Sequence, residues 1–337
     1  MGGVPPLSPS LTVPPLISFR SFLNTDPPLL VEVWRRQKRF RGLADRISGA
    51  TLEELVFSKP YFDPAGLILA VNGEQPLGFV HAGFGPNRER QDLDNSTGVI
   101  SALRVVENAD SEEVARGLLE RALAYLGERG AKVVYAGSAF PFAPYYLGLY
   151  GGSRVPGVLD DDLSARRGLL AAGFDKSDEI LIFQRHLAGY RTLVDRQQMA
   201  VRRQYHMNSN TDPDSSNWWD ACTLGSTLRT RFSLSDRKSN DEVAVVTFWD
   251  MQPLASCWGV TAMGLYDLQV NAEARRCGLG TFLVCESLRA LSQQGISLVE
   301  AQVRQADAIA CNMFQKLGFA QVGSGHIFQT TLSQVGA

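Results

Sequence analysis

Apolar and polar positions along this chain fall into short runs whose period switches between strand-like and helix-like, and the switches come in the same order twice. In the first half, Gly98 to Val106 (GVISALRVV) reads as a strand, Ser111 to Glu128 as a helix and Ala131 to Gly137 as a strand. Leu163 to Gly173 then reads as a helix and Glu179 to Leu187 as a strand. In the second half the order is a strand over Gly264 to Val270, a helix from Thr281 to Leu291 and an apolar run from Ile296 to Val303. A helix over Asp307 to Leu317, with Ala308, Ile309, Met313 and Phe314 on one face, leads to a last strand. Val105 to Gly130 and Val270 to Gly295 span the same 25 positions, so strand, turn and helix have equal lengths in both halves. Val105 to Gly173 is then 20 residues longer than Val270 to Gly318. The excess lies in Pro141 to Asp162, a Pro-, Gly- and aromatic-rich loop suited to folding over a neighbouring surface.

The break between the halves is expected after Glu179 to Leu187, with Ala188 and Gly189 as connector. Beyond it the pattern predicts a strand near Arg191 to Val194 and helices over Arg196 to Tyr205 and Ser216 to Thr223, with strands near Leu228 to Leu234 and Glu242 to Trp249. The polar stretch Asn208 to Asn217, which contains Pro213, is expected to be a loop. Residues 1–16, with Pro5, Pro6, Pro9, Pro14 and Pro15, read as a flexible tail with no signal-peptide pattern. The predicted organisation is therefore the tail, a domain over 17–188 carrying the insertion 141–162, and a second domain over 189–337. Each domain is α/β (α+β type), a mixed, mostly antiparallel sheet flanked by helices.

The most chemically suggestive stretch is Val270 to Gly280, VNAEARRCGLG, directly before the apolar-periodic run Thr281 to Leu291. Two glycines and an Arg pair between a strand end and a helix start suit a pyrophosphate: backbone N–H groups approach without a Cβ in the way, and the helix N-terminus adds partial positive charge. This stretch, together with Asp307 to Phe319, resembles the GCN5-related N-acetyltransferase (GNAT) superfamily. The first segment resembles the pattern V-x-P-x-x-[RQ]-x-x-G-x-[GA], and the second N-x-x-A-x-x-[FL]-Y-x-[KR]-x-G-F. Ala272 replaces the usual Pro, and Phe314 stands where many members have Tyr.

The resemblance implies acetyl-CoA as co-substrate and acetyl transfer to an amine by direct attack. The backbone of Leu268, Gln269 and Val270 would face the pantetheine arm. Arg275, Arg276 and the amides of Cys277, Gly278, Leu279, Gly280 and Thr281 would hold the pyrophosphate, and Asp307 and Phe314 fall on matched positions of the second motif. Phe314 has no ionisable proton, so another group must protonate the leaving thiolate. Tyr266 and Cys311 are the nearest candidates by sequence, while Asp267 or Glu300 could deprotonate the amine. A non-catalytic protein that binds or senses coenzyme A is the alternative that the missing tyrosine leaves open.

In the equal spacing, Arg275, Gly278 and Gly280 fall opposite Asp110, Glu113 and Ala115, so the first half resembles a degenerate member of a tandem pair. Carboxylates there would repel a pyrophosphate, and Asp110 and Glu113 suit a helix N-terminus instead. For the acceptor, a small-molecule or peptide amine, the aromatic and acidic material comprises Trp218, Trp219, Asp220, Trp249, Asp250, Cys257, Trp258, Tyr145, Tyr146, Tyr150 and Asp160 to Asp162. The same residues also suit an interface between the halves.

Composition narrows the class further. At 337 residues and 45% hydrophobic the chain is long enough for two cores, and a net charge of −2 gives no general pull toward nucleic acid or anionic lipid. Five cysteines without C-x-x-C spacing read as reduced thiols, and four histidines show no metal-ligand spacing, so no metal is expected. With no run of about 18 apolar residues, a cytoplasmic enzyme is the expectation.

Overall fold

The computed structural model describes residues 17–108, 110–137, 142–192 and 195–332. The expected tail, Pro141 of the insertion, and Leu193 and Val194 of the expected first strand of the second half lie outside these residues; Arg191 and Thr192 are not in a strand. The first half contains strands β1 (Ser18–Ser21), β2 (Leu67–Asn72), β3 (Gln75–Pro86), β4 (Leu93–Val105), β5 (Val133–Ala136), β6 (Val158–Leu159) and β7 (Asp175–His186). Its helices are α1 (Pro27–Arg35), α2 (Gly49–Leu52), α3 (Ser111–Glu128) and α4 (Leu163–Ala171). The second half has β8 (Tyr205–Thr211), β9 (Arg229–Asp236), β10 (Glu242–Asp250), β11 (Ala262–Val270), β12 (Leu298–Arg304) and β13 (Ala320–Thr331). Helices α5 (Arg196–Gln204), α6 (Trp218–Leu224), α7 (Gln252–Trp258), α8 (Leu279–Gln293) and α9 (Ala308–Lys316) accompany them.

All the strands join one mixed, mostly antiparallel sheet in the order β1-β2-β3-β4-β5-β13-β7-β12-β11-β10-β9-β8, with β6 on β13. The centre of that order departs from chain order. The last strand of the second half, β13, lies between β5 and β7 of the first, and β7 lies between β13 and β12. The sheet therefore runs without a break past the connector at Ala188 and Gly189.

Two forks open in the sheet, where parallel neighbours pair only briefly. β4 pairs with β5 over Thr97–Ile100 and Val133–Ala136, and β11 with β12 over Ala262–Gly264 and Leu298–Glu300. Beyond those pairs the strands diverge. Each fork has a bulge beside it: Ser101 is the extra residue in β4 against β3, and Tyr266 in β11 against β10. The equal spacing of the sequence is thus an equality of register, since Thr97 and Ala262, and Ser101 and Tyr266, are the positions it sets opposite each other.

On one face, α3 covers a core including Leu118, Leu119 and Phe174, and α8 covers another including Phe232, Phe248, Leu283 and Phe314. On the opposite face a third core mixes both halves, with Trp34, Tyr145, Tyr146 and Tyr150 against Trp249, Met251 and Leu254. Two expectations are corrected. Asn208 to Thr211 belong to β8, an edge strand exposed on both sides there and so without the alternation that marks a half-buried strand. Ile309 is 81% exposed, because α9 lies on the surface with only Phe314 fully buried.

Candidate acyl-transfer site

The segment from the end of β11 to the start of α8 forms a loop with two left-handed residues, Arg276 (φ +63°) and Gly278 (φ +79°). The side chain of Asn271 donates to Glu242 O (3.0 Å) and Arg275 Nε donates to Val270 O (3.1 Å), which fasten the loop to the strand ends. Helix α8 begins at Leu279 with Gly278 as N-cap and no side-chain cap. The first amides of the helix consequently point outward without a capping partner, beside the exposed Arg275, Arg276 and Cys277. A Cβ on Gly280 would meet only Val270 and Met313, at 3.5 and 3.9 Å, so the approach to the first turn is open.

On the other face of the sheet, where Thr247 and Trp249 point away from α8, lies a cavity of about 570 Å³. Its floor is β9 to β11 and its wall is the segment 213–216 with Asp220 of α6. The bulged Tyr266 closes one end: its ring is buried and its hydroxyl donates to Asp220 Oδ1 over a long 3.5 Å. Ser216 Oγ (2.8 Å) and Asn217 Nδ2 (2.7 Å) hold the other oxygen of Asp220. Burial first, and then the Asp220 carboxylate, pushes the Tyr266 phenol above the ordinary tyrosine range. The first half reaches this point too. Arg90 Nη1 lies 3.9 Å from Asp220, and the Arg154 guanidinium lies 5.3 Å over the Tyr266 ring.

A family model described as FR47-like protein matches residues 254–326, from α7 into β13. Among solved structures, the chain is similar to a GCN5-related glucosamine N-acetyltransferase region of a fungal multi-domain GH3 β-N-acetylglucosaminidase (TM-score 0.66, 14% identity), covering 95% of this chain and 38% of that one. It is similar also to a tandem GNAT protein from the clavulanic acid biosynthesis pathway (TM-score 0.65, 12% identity, 94% and 98% covered). A GCN5-related N-acetyltransferase from Sphaerobacter thermophilus gives a TM-score of 0.59 at 12% identity, with 94% and 95% covered. The fold is that of the tandem GCN5-related N-acetyltransferases. This chain spans 38% of the length of the fungal protein but nearly the whole of the tandem GNAT protein. Comparison with curated protein sequences found no match.

Within the GNAT fold, the residues singled out from the sequence separate by face. Leu268 and Val270 turn their side chains into the core beneath α8, while Gln269 lines the cavity and donates to Asp267 Oδ2 (2.6 Å). Leu279 is buried under the loop and Thr281 half-buried. Tyr266 and Asp267 therefore share the cavity. Cys311 does not: it packs on the α8 side, donating to Arg304 O at 3.8 Å. Phe314 is also on that side, 3% exposed, between Phe183 (6.3 Å, stacked) and Phe319 (5.1 Å, edge-on). Asp307 caps α9, accepting from Ala310 N at 3.0 Å.

Glu300 is sealed away from the cavity, at 1% exposure. Its carboxylate accepts from Ser153 N (2.7 Å), Gln184 Nε2 (2.6 Å) and Gln302 Nε2 (3.3 Å), with Arg41 bonded to Gln184 behind it. Burial pushes its carboxyl above the usual range. Trp249 Nε1 donates to Ser153 O (2.9 Å) and Gln302 to Arg154 O (3.0 Å), so Gly152 to Arg154 of the insertion lie along the mouth of the second fork. Sequence reasoning missed Ser153, Arg154 and Gln184 in this role. The composition of the insertion was the only signal for Ser153 and Arg154, and nothing signalled Gln184, a strand residue of β7.

The first half has the fork, but its helix start differs: α3 starts at Ser111, so Glu113 and Ala115, opposite Gly278 and Gly280, already lie inside the helix, whereas 275–278 precede α8 as a loop. A cavity of about 520 Å³ beside that helix start is rimmed by Asp110, Glu112 and Glu113 as well as Arg116 and Arg167. The fork itself is filled. Arg104 pairs with Asp162, both buried, and Tyr150 donates to Asp162 Oδ2 at 3.1 Å, leaving about 20 Å³, space for about one water. Tyr150 and Asp162, expected near the acceptor, thus plug the first half instead. Trp219, Trp249, Tyr145 and Tyr146 are core residues.

Proposed function

We propose that this chain is an acetyl-CoA-dependent N-acyltransferase whose second half binds the coenzyme and whose first half completes the acceptor side. The observation that carries this reading is the contrast between two otherwise matched helix starts. Neither start has a side-chain cap, but that of α8 is preceded by left-handed Arg276 and Gly278 and flanked by two arginines, whereas α3 starts a turn earlier among carboxylates. The residues present fit a pyrophosphate: the amides of Cys277 to Thr281 with Arg275 and Arg276 would hold it, and the open approach at Gly280 would admit it. Acetyl-CoA would supply an acyl group activated as a thioester.

The chain's own residues account for the rest of the chemistry. Asp267 and Asp220 place carboxylates where a cationic amine could be held and one of its protons accepted. Tyr266, its phenol pushed up by burial, keeps its proton at neutral pH and can give it to a sulfur leaving at the fork. Glu300, bonded on both oxygens, fixes the mouth of the fork by joining β12 to the insertion. The five free thiols suit a reducing cytoplasm, and among the described residues no helix is long and apolar enough to cross a membrane.

A second reading, a coenzyme A sensor without turnover, is favoured by Phe314, which has no hydroxyl and is packed between two other rings. The two readings part in one experiment. With acetyl-CoA and a library of amines, an acyltransferase releases free thiol in proportion to amine consumed. Calorimetric binding of coenzyme A with no thiol release from any amine would leave the sensor.

A further inference from the structure

The cavity above β9 to β11 is more selective than a general amine site. We propose that the acceptor is a small, hydroxyl-rich primary amine, as opposed to an apolar amine or a peptide; this identity rests on the acyltransferase reading above. The first reason is what the cavity lacks. The tryptophans and tyrosines that could have formed an aromatic wall for a cation, Trp219, Trp249, Tyr145 and Tyr146, are spent in packing between the halves. Tyr266 is the single aromatic among the described lining residues, and the aliphatic ones are few: Pro213, Leu224, Ala244 and Val245. Nothing there offers the area that an apolar amine needs to bind.

The second reason is what the cavity presents. Asn210, Thr247, Gln269 and Asn271 bring neutral donors and acceptors along the floor, which suit hydroxyl groups. The charged lining consists of four carboxylates, Asp214, Asp220, Glu242 and Asp267, against two guanidinium groups, Arg229 and Arg231. Both arginines are already engaged. Arg231 pairs with Glu242 at 2.6 Å, and Arg229 holds the wall through Pro213 O (2.8 Å) and Ser215 Oγ (3.2 Å). An ammonium finds the Asp220 and Asp267 carboxylates there, with Arg90 3.9 Å from Asp220 and Arg154 over the Tyr266 ring balancing their charge.

The third reason is volume. A cavity of about 570 Å³ falls within the usual range for small-molecule sites. A site lined this way also discriminates sharply, because an acceptor without hydroxyls leaves its polar groups unpaired.

The test uses the full chain loaded with coenzyme A and three probes: 2-amino-2-deoxyglucose, phenethylamine and an uncharged tripeptide amide. Binding is read by calorimetry and transfer by thiol release with acetyl-CoA. The amino sugar is expected to bind at least about tenfold more tightly than either other probe. Thr247→Val and Asp267→Asn are each expected to weaken its binding about tenfold without changing affinity for coenzyme A. Equal or tighter binding of phenethylamine or the tripeptide, or amino-sugar binding indifferent to both substitutions, overturns the proposal. Amino-sugar binding as expected with no thiol release from any probe would sustain the cavity's selectivity and overturn the acyltransferase reading. Thiol release with phenethylamine alone would do the reverse.

Discussion

The glycine at 278 offers a substitution pair in which strain and charge separate. Gly278 has φ +79°, and a Cβ there would lie 2.8 Å from the end of the Gln197 side chain. Any other residue costs about 1–2 kcal/mol for the left-handed backbone, plus a small shift of a flexible side-chain end. Gly278→Gln and Gly278→Glu bear those costs equally and differ by one charge. A carboxylate about 5 Å from a phosphate at an effective dielectric of about 20 is opposed by about 3 kcal/mol, which screening at a half-buried position reduces to about 1.5–3 kcal/mol. Coenzyme A binding by calorimetry should therefore weaken about tenfold for Gln and a further tenfold to hundredfold for Glu. The gap between the two should narrow as salt is raised toward about 1 M, where the screening length is about 3 Å. Equal affinities of the two folded variants, or a gap indifferent to salt, would refute a phosphate at this loop.

Four further outcomes follow from the geometry. Tyr266→Phe should lower kcat about tenfold to hundredfold with coenzyme affinity unchanged. Because burial and Asp220 raise the phenol's pKa, wild-type activity should show no alkaline loss from this group below pH about 10; a loss near neutral pH that Tyr266→Phe abolishes would contradict the assignment. Phe314→Tyr forces a hydroxyl between Phe183 and Phe319 and should cost about 1–3 kcal/mol of stability, measured by urea unfolding, without raising kcat; a faster enzyme would mean that this ring faces the leaving sulfur. Asp162→Ala strands the buried Arg104 and should destabilise by about 3–5 kcal/mol, visible as a lowered denaturation midpoint. Coenzyme A should bind once per chain in wild type and in Glu113→Gly alike, since the plugged first fork remains; a calorimetric stoichiometry of two would show that the first half still binds.

How much of this was legible beforehand depended on whether a feature lives in local pattern or in partner choice. The helix α3 was read from its period to the residue at both ends, and the equal spacing of Val105 and Val270 carried the register of both forks, because strand length and crossover length are local quantities. The loop and helix start at 275–279 were legible because glycine and arginine have few reasons to cluster before a helix. The edge strand β8 was not, since residues exposed on both sides leave no alternation to detect. Nor was the separation of Tyr266 from Cys311 and Phe314 onto opposite faces, which depends on a one-residue bulge that reverses the facing of everything after it in β11. The place of Tyr150 and Asp162 in the first fork was not legible for a different reason: composition says that a loop will pack, not where.

The order of the central strands bears on why a half without a cradle stays attached. Each half contributes one strand, β7 or β13, after its last helix, and each of these pairs with a strand of the other half. Alternating apolar strands satisfy either slot equally well, which is why the exchange leaves no mark in the sequence. Its consequence is structural dependence. Without the first half, β12 loses the neighbour along Leu298 to Arg304, and Glu300 loses the Ser153 amide and the Gln184 side chain that hold both its oxygens. A buried carboxylate stripped of its donors is costly, and it sits at the mouth of the fork where acyl transfer is proposed. The first half has no loop matching 275–278 at its helix start, yet Arg90, Arg154 and the Gly152 to Arg154 segment stand around Tyr266 and Glu300 of the second. On the proposed reading, the second half's fork depends on the first half being there.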